Sequence, residues 1–352
     1  VVEGVHATGL LASRLDSQQV VKAMAEARMT ERSKPTCCIM SYDFLDLDVW
    51  LNTRLFYQAA GYRVITNQMR MEADLLVVLR GDPKEPVRGY RGPVHVYDYV
   101  KRQDFDWTFE YPDASQITLI SLTLPQHAGN VVFVEGFVPV FPQIWQRTGE
   151  QKSNQPVHVA NYKPMPEDGY QQQLASLART GKIKVFGGNW EKLGLRTQSL
   201  SYWDANRLLA RSLLCYGLMY PYQRGITLSG RMWQAPLQGC HVVTESGTNR
   251  IGCPGLLETE SYDPEVFWPT PSPADAAALA QGAATFWSDQ TKTLADRLGL
   301  VLRTEKMQTL IQRARARLWI HHLQYHYSHW IKAIKSLPER LRSAIGLADR
   351  KA

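Results

Sequence analysis

Between Lys34 and Glu260 the chain alternates short apolar runs, rich in β-branched and aromatic residues, with helical or turn-forming segments. That alternation constrains the fold more than any composition value does. A short apolar run bounded by Gly, Pro or polar clusters reads as a strand, and strands separated by helices pair in parallel. The runs KPTCCIMSY, YRVIT, ADLLVVLRG, GPVHVYDYV, SQITLISLTL and NVVFVEGFVP are read as strands, and DLDVWLNTRLFYQAAG as an amphipathic helix closed by Gly61. A polar, Ala-rich opening predicts one further helix, Ser17 to Arg32. The segment PQIWQRTGEQKSNQP, polar and bracketed by prolines, reads as a linker. The alternation then restarts with strand VHVANY, helix DGYQQQLASLARTG, strand and turn KIKVFGGNW, and helix SYWDANRLLARSLLCYG. A helix beginning near Arg231 feeds the strand CHVVTE, and after the proline-rich break WPTPSPAD the sequence is helical to its end.

At 352 residues the chain suits two domains of about 150 residues rather than one core. The pattern divides into a helical extension over 1–34, a first α/β domain over 35–141, the linker 142–156, a second α/β domain over 157–270, and a basic helical segment over 271–352. Open parallel sheets bind ligands outside the carboxyl ends of their strands, so two such domains facing each other predict a site in the cleft between them.

A hydrophobic content of 44% with 21% charged residues places the chain among ordinary soluble globular proteins and excludes a disordered one. No run approaches the roughly 18 apolar residues of a membrane span. The first residues lack the basic start and long apolar block of a secretory signal. Five cysteines, an odd number with no CxxC pair, predict reduced buried thiols, no structural zinc and a cytoplasmic setting.

Residues 303 to 352 hold eleven Lys and Arg against three acids, so the basicity of the whole chain resides in this tail. The plain expectation is a solvated helix face. A tail of this kind also offers peripheral contact with an anionic membrane surface, while nucleic acid is not expected as a partner. Within it, His322, His326 and His329 fall at i, i+4 and i+7, beside a stripe of Trp319, Leu323, Tyr327, Trp330, Ile331 and Ile334. Three imidazoles at that spacing are able to bind zinc, but without an HExxH glutamate or a thiolate nearby a packed helix with flanking histidines is the expectation, and no metal site is assigned.

The segment GRMWQAPLQGCHVVTES, residues 230 to 246, concentrates the candidate chemistry. Ser229 or Gly230 is suited to cap a helix whose first turn holds Arg231. Pro236 would cost about 3 kcal/mol in a helix interior, so the helix must be short, kinked or begin near the proline. Gly239 ends it, and Cys240 to Val243 form a strand. Free N–H groups at the helix start with Arg231 beside them suit a diphosphate; the alternative is a helix–turn–strand unit with a surface arginine. Lys163, after VHVANY, and Arg224, in PYQRG, are further phosphate candidates or solvated side chains. Gly187 and Gly188 permit close backbone approach of a nucleotide near Asn189, or form a tight turn. Glu245 is placed to meet a sugar hydroxyl or to cap the next loop.

These residues resemble the donor-site segment of GT-B glycosyltransferases, and the spore-maturation-protein-like group within them. Arg231, Trp233, Ala235, Gly239 and Val242-Val243-Thr244 match that pattern. The turn Phe186-Gly187-Gly188-Asn189-Trp190 is similar to a G-x-x-W of the group's second domain, and Phe141-Pro142 falls where the family crosses between domains. The resemblance covers roughly residues 35 to 270 in element order, its strong motif about 225 to 260. It implies an α/β protein of two Rossmann-like domains facing a cleft, with C-terminal helices. It further implies metal-independent transfer of a sugar from a nucleotide-sugar to a hydroxyl of a glycan, lipid or protein acceptor, with no cofactor. Two positions depart from the family: Gln234 replaces the glutamate ahead of Ala235, and Ile226 replaces the earlier glutamate of retaining members. A glutamine still hydrogen-bonds a hydroxyl, without charge assistance. Inversion would need a general base, for which Asp43 and His127 are the candidates; each is also ordinary as a helix cap or loop residue. A binding scaffold without catalysis and a sugar-nucleotide epimerase remain the alternatives.

Overall fold

The computed structural model describes residues 34–41, 47–79, 86–98, 106–123, 129–147, 150–164, 169–219, 224–225 and 227–336. The helix expected over Ser17 to Arg32 lies outside them, as do Asp43, His127 and Ile226.

Six strands form the first sheet: β1 (Thr36–Ser41), β2 (Arg63–Ile65), β3 (Leu75–Leu79), β4 (Pro93–Tyr97), β5 (Gln116–Ser121) and β6 (Val132–Glu135). They pair in parallel in the order β2-β1-β3-β4-β5-β6. All five residues of β3 are buried, as a strand covered on both faces requires, which is why its sequence LLVVL shows no alternation. Helix α1 (Leu47–Ala59) carries the chain from β1 to β2, and Gly61 follows it with φ of 97°. A short helix α2 (Trp107–Glu110) precedes β5, its first turn capped by the Asp106 carboxylate.

The segment read as a linker begins with a one-turn helix, α3 (Pro142–Trp145), started by proline at its first position. Trp145 is fully buried and packs edge-on against Trp233 of the second domain, ring centroids 5.4 Å apart. The segment is thus wedged between the domains.

The second sheet holds β7 (Val157–Val159), β8 (Lys184–Phe186), β9 (Leu214–Tyr216), β10 (His241–Glu245) and β11 (Leu256–Thr259), all parallel, in the order β11-β10-β9-β7-β8. Helices α4 (Tyr170–Arg179), α5 (Tyr202–Ala210) and α6 (Gly230–Leu237) connect them. One expectation fails here. SYWDANRLLARSLLCYG is not one helix: α5 ends at Ala210, and Leu214–Tyr216 is a strand between β7 and β10. Ser212 bonds back to the Leu208 carbonyl as the chain turns. A three-residue strand buried on both faces continues the apolar run of the preceding helix and leaves no period to read. β11, in GLLETE, escaped the sequence reading for the same reason of length.

Counted from its own first strand, each sheet runs 2-1-3-4-5, with a sixth strand added in the first. Connections reverse direction between β1 and β3 and between β7 and β9. In doubly wound sheets a ligand crevice opens at that reversal, outside the carboxyl ends of the strands. The architecture is therefore two Rossmann-like α/β units, as the resemblance implied.

Two long helices follow the second sheet among the described residues. α7 (Pro273–Arg297) starts with a capping box of Ser272 and Asp275. The Thr291 hydroxyl of α7 donates to the Val140 carbonyl and accepts from the Val140 N–H, both at 2.9 Å, which clamps the interdomain crossing. α8 (Met307–Ser336) lies across α1, α3 and α5. Ile311, Ala314 and Leu318 bury its inner face, the Arg315 guanidinium donates to the Gln146 carbonyl at 3.0 Å, and Arg317 lies 5.7 Å from the Trp50 ring. The basic helix is thus partly core rather than wholly solvated. Most of the apolar stripe expected to pack is not covered: His321, His322 and Tyr325 continue the inner face half-buried, while Trp319, Leu323, Tyr327 and Trp330 are exposed. A 3.6-residue stripe marks an apolar face but does not say whether another element covers it.

Candidate ligand site between the facing sheet edges

α1 begins beyond the carboxyl end of β1, and α6 begins beyond the carboxyl end of β9; the starts of these two helices meet. Asp48, in the first turn of α1 and buried, accepts a 2.8 Å hydrogen bond from the Gln234 amide of α6. Its Oδ2 also lies over Gly230, where any Cβ would collide with it. The carboxyl edges of the two sheets therefore face one another, and the Asp48 carboxyl lies at the start of α6. Gln234 is spent on this contact. A glutamate in its place would set two carboxylates at hydrogen-bond distance.

Behind that contact the domain junction is a network of buried amides. Asn52 Oδ1 accepts from the Phe141 N–H at 2.9 Å and the Trp145 indole at 3.3 Å. Asn206 donates to the Trp145 carbonyl at 2.7 Å, and the Gln238 amide donates to the same carbonyl and, at 2.8 Å, to Asn206 Oδ1. Nothing in the sequence marks Asp48, Asn52, Asn206 or Gln238 as partners.

Arg231 projects from the first turn of α6 toward the reversal between β7 and β9. Its guanidinium makes no hydrogen bond or ion pair among the described residues, and its Nε is buried without a partner. Burial lowers its pKa, while the nearby Cys215, Tyr262 and Glu245 act in the opposite sense. Its charge is felt at His158 in β7, which is fully buried: burial first, and Arg231 second, push that imidazole down to about 3. His158 is thus neutral, with Nδ1 2.6 Å from the Tyr216 carbonyl and Nε2 without a partner among the described residues. Sequence reasoning missed His158, since a lone histidine inside a strand carries no motif.

The Gly187-Gly188-Asn189 turn is fixed to the carboxyl end of β7. Gly188 N–H donates to Asn161 Oδ1 at 2.7 Å, the Trp190 indole donates to the Ala160 carbonyl at 2.6 Å, and Thr197 closes on the Gly187 carbonyl at 2.5 Å. Gly187 has φ of 130° and a Cβ there would run into the Ala160 carbonyl, so this position requires glycine. Asn189 is left-handed at φ of 67° and exposed. Lys163 is exposed on the neighbouring loop, which the Gln171 side chain of α4 holds through the Lys163 carbonyl at 2.6 Å.

Arg224 and Glu245 are engaged with protein groups. Glu245, fully buried at the end of β10, accepts from the Met219 N–H at 3.2 Å and the Thr244 hydroxyl at 3.0 Å. Burial raises its carboxyl pKa, opposed by hydrogen bonds and by the Arg224 charge. Arg224 lies 3.9 Å from it and 5.3 Å from the Tyr170 ring. The Glu245 carboxylate is covered in this arrangement and turned inward. Arg231, Lys163 and the Gly187–Asn189 turn thus border the second sheet's reversal, with a layer of Tyr162, Tyr170, Tyr216, Tyr262 and Trp190 beneath.

The fold is thus an α/β protein of two Rossmann-like domains. No family model matches the chain, and no curated protein matches it. Among solved structures it is similar to Anabaena HepE in complex with UDP-glucose, at 13% identity and a TM-score of 0.43 over 81% of this chain and 99% of that one. It is also similar to AviGT4, a glycosyltransferase involved in avilamycin A biosynthesis, at 13% identity and a TM-score of 0.41 over 84% of this chain and 96% of that one. The DNA-modifying enzyme beta-glucosyltransferase gives 9% identity and a TM-score of 0.46 over 80% of this chain and 99% of that one.

Proposed function

We propose that the protein is a glycosyltransferase that moves a sugar from a nucleotide-activated donor to an acceptor hydroxyl. The observation that carries this reading is Arg231: a guanidinium at the reversal of a doubly wound sheet, with a buried Nε left without a protein partner. A guanidinium with no protein partner among the described residues, set where the sheet reverses, is suited to an anionic ligand. The donor diphosphate would lie against Arg231 and the exposed Lys163, with the nucleoside near the Gly187–Asn189 turn. The acceptor hydroxyl attacks the anomeric carbon, the bond from that carbon to the phosphate oxygen breaks, and the leaving diphosphate keeps the electron pair. Arg231 and Lys163 would stabilise that charge without a divalent metal or cofactor. Asp43 and His127 are the proposed candidates for the base that takes the hydroxyl proton, in the cytoplasmic compartment that the reduced cysteines favour.

The acceptor class is proposed from the tail. Trp319, Leu323, Tyr327 and Trp330 are exposed along α8 near the basic residues Arg313, Arg317 and Lys332, a pattern suited to an anionic membrane surface and hence to a lipid-linked acceptor. No helix among the described residues is long and apolar enough to cross a membrane.

A specific observation favours a second reading, a binding scaffold without catalysis: Gln234 and Glu245, two positions expected to hold sugar hydroxyls, are both bonded within the protein. Calorimetry with UDP-, GDP-, ADP- and CMP-sugars separates the readings. The transferase predicts binding of one nucleotide class, at least tenfold weaker in Arg231→Ala with the fold intact, and a glycoside product once acceptor is added. Binding without turnover supports the scaffold, an epimerised donor supports an epimerase, and no response to any nucleotide sinks both enzyme readings.

A further inference from the structure

The contact between α5 and α8 brings together three groups that the nucleotide crevice does not use. Asp204, in the first turn of α5, directs one oxygen at two imidazoles one helical turn apart on α8: Oδ2 lies 2.8 Å from His326 Nε2 and 3.5 Å from His322 Nδ1. The three donor atoms fall within 4.8 Å of one another. We propose that Asp204, His322 and His326 form a binding site for a divalent transition metal of the zinc class, one that pins the C-terminal helix to the second domain.

The chemistry of the donor set fits such an ion. Zinc takes imidazole nitrogen and carboxylate oxygen at about 2.0–2.1 Å, and four-coordinate geometry then separates neighbouring donors by about 3.3 Å. The two distances on the Asp204 oxygen bracket that spacing. The site has supports on both sides. The buried Ser201 hydroxyl donates to Asp204 Oδ2 at 2.7 Å and lies 3.0 Å from His322 Nδ1, and the Trp319 ring stacks on His322 with centroids 4.8 Å apart. Orientation of ligands by neighbours of this kind strengthens metal sites. His326 is half-exposed, which leaves a coordination position toward solvent. His329, expected from sequence to share the histidine face, is not a member: its Nδ1 lies 2.9 Å from the Tyr325 carbonyl of its own helix. The third group in the sequence pattern is replaced by an aspartate from another element.

The other titratable groups packed here are His321 and Tyr325 on α8, with the Arg147 guanidinium above Trp203. Because α8 also packs on α1, a metal at this site would tie the second domain to the first through one helix.

The alternative is a histidine–aspartate ion pair, and the two respond to pH with opposite sign. Protons compete with a metal for imidazole nitrogen, whereas an ion pair gains charge as the imidazoles protonate. The test uses the full chain stripped with EDTA and titrated with Zn(II) by calorimetry, and with Co(II) by visible spectroscopy. One-to-one binding that weakens from pH 7.5 to 6 is expected, with low-symmetry Co(II) bands. His322→Ala and His326→Ala should each weaken binding by more than about tenfold, while His329→Ala leaves it unchanged. Absence of one-to-one binding, or binding indifferent to His322→Ala and His326→Ala, overturns the site. The Co(II) spectrum of the unaltered protein decides the matter even where a variant folds poorly: a spectrum of six-coordinate aquo ion alone also overturns it.

Discussion

Gln234 bonds Asp48 across the domain junction at 2.8 Å, with both side chains buried. In Gln234→Glu two carboxylates share one site, and the pair titrates with one pKa raised. The expected cost is about 3 kcal/mol at pH 7. A carboxyl whose folded pKa is raised recovers its lost stability as pH falls through that value, and does so fully below its unfolded value near 4.3. Urea unfolding at pH 7 and pH 5 should therefore show the deficit of the variant narrowing toward acid; a constant or widening deficit would contradict the contact. Asp48 itself was legible only as an acid at a helix start. Its role across the junction lies 186 positions away in sequence, beyond any local pattern.

At the scale of elements, α6 shows how far local rules reach. The sequence required a short helix around Pro236, and it spans Gly230–Leu237, ending one residue after the proline. Gly239 follows at φ of 69°, against the backbone of Ala276. The turn after β8 is governed in the same way. Gly187→Ala adds a left-handed penalty of about 1–2 kcal/mol before any clash with the Ala160 carbonyl. Thermal denaturation should show a loss of at least that size, with nucleotide response reduced alongside; a variant as stable as the parent would mean that the turn is free to move. By contrast β9 and α8 were misread. A three-residue strand is too short for a period, and the apolar stripe of a helix is silent about which neighbour, if any, covers it.

On the scale of the whole molecule, the two sheets share one apolar core that runs through α1, α3, α6, α7 and α8. Asn52 stands at its polar centre, fully buried, and receives the Phe141 N–H and the Trp145 indole. Asn52→Ala leaves two buried donors without an acceptor, at an expected cost of about 3 kcal/mol. Equilibrium unfolding should register that loss as a single lowered transition if the domains unfold together. Two separated transitions in the unaltered protein would show that the junction does not couple them.

The sequence by itself determined the parallel α/β character, the succession of six strands in the first domain, the short proline-bearing helix and the glycine turns. Each is encoded in residues adjacent along the chain, through burial periodicity or a backbone conformation that only some residues adopt. The tertiary structure alone decided that Gln234 meets Asp48, that Glu245 turns inward, that Arg231 keeps a buried Nε without a partner, and that Asp204 faces His322 and His326. Those outcomes depend on which helix starts and faces the folded sheets bring together. Hydrogen bonds and charges act over a few ångströms in space, whatever the distance between their residues in sequence.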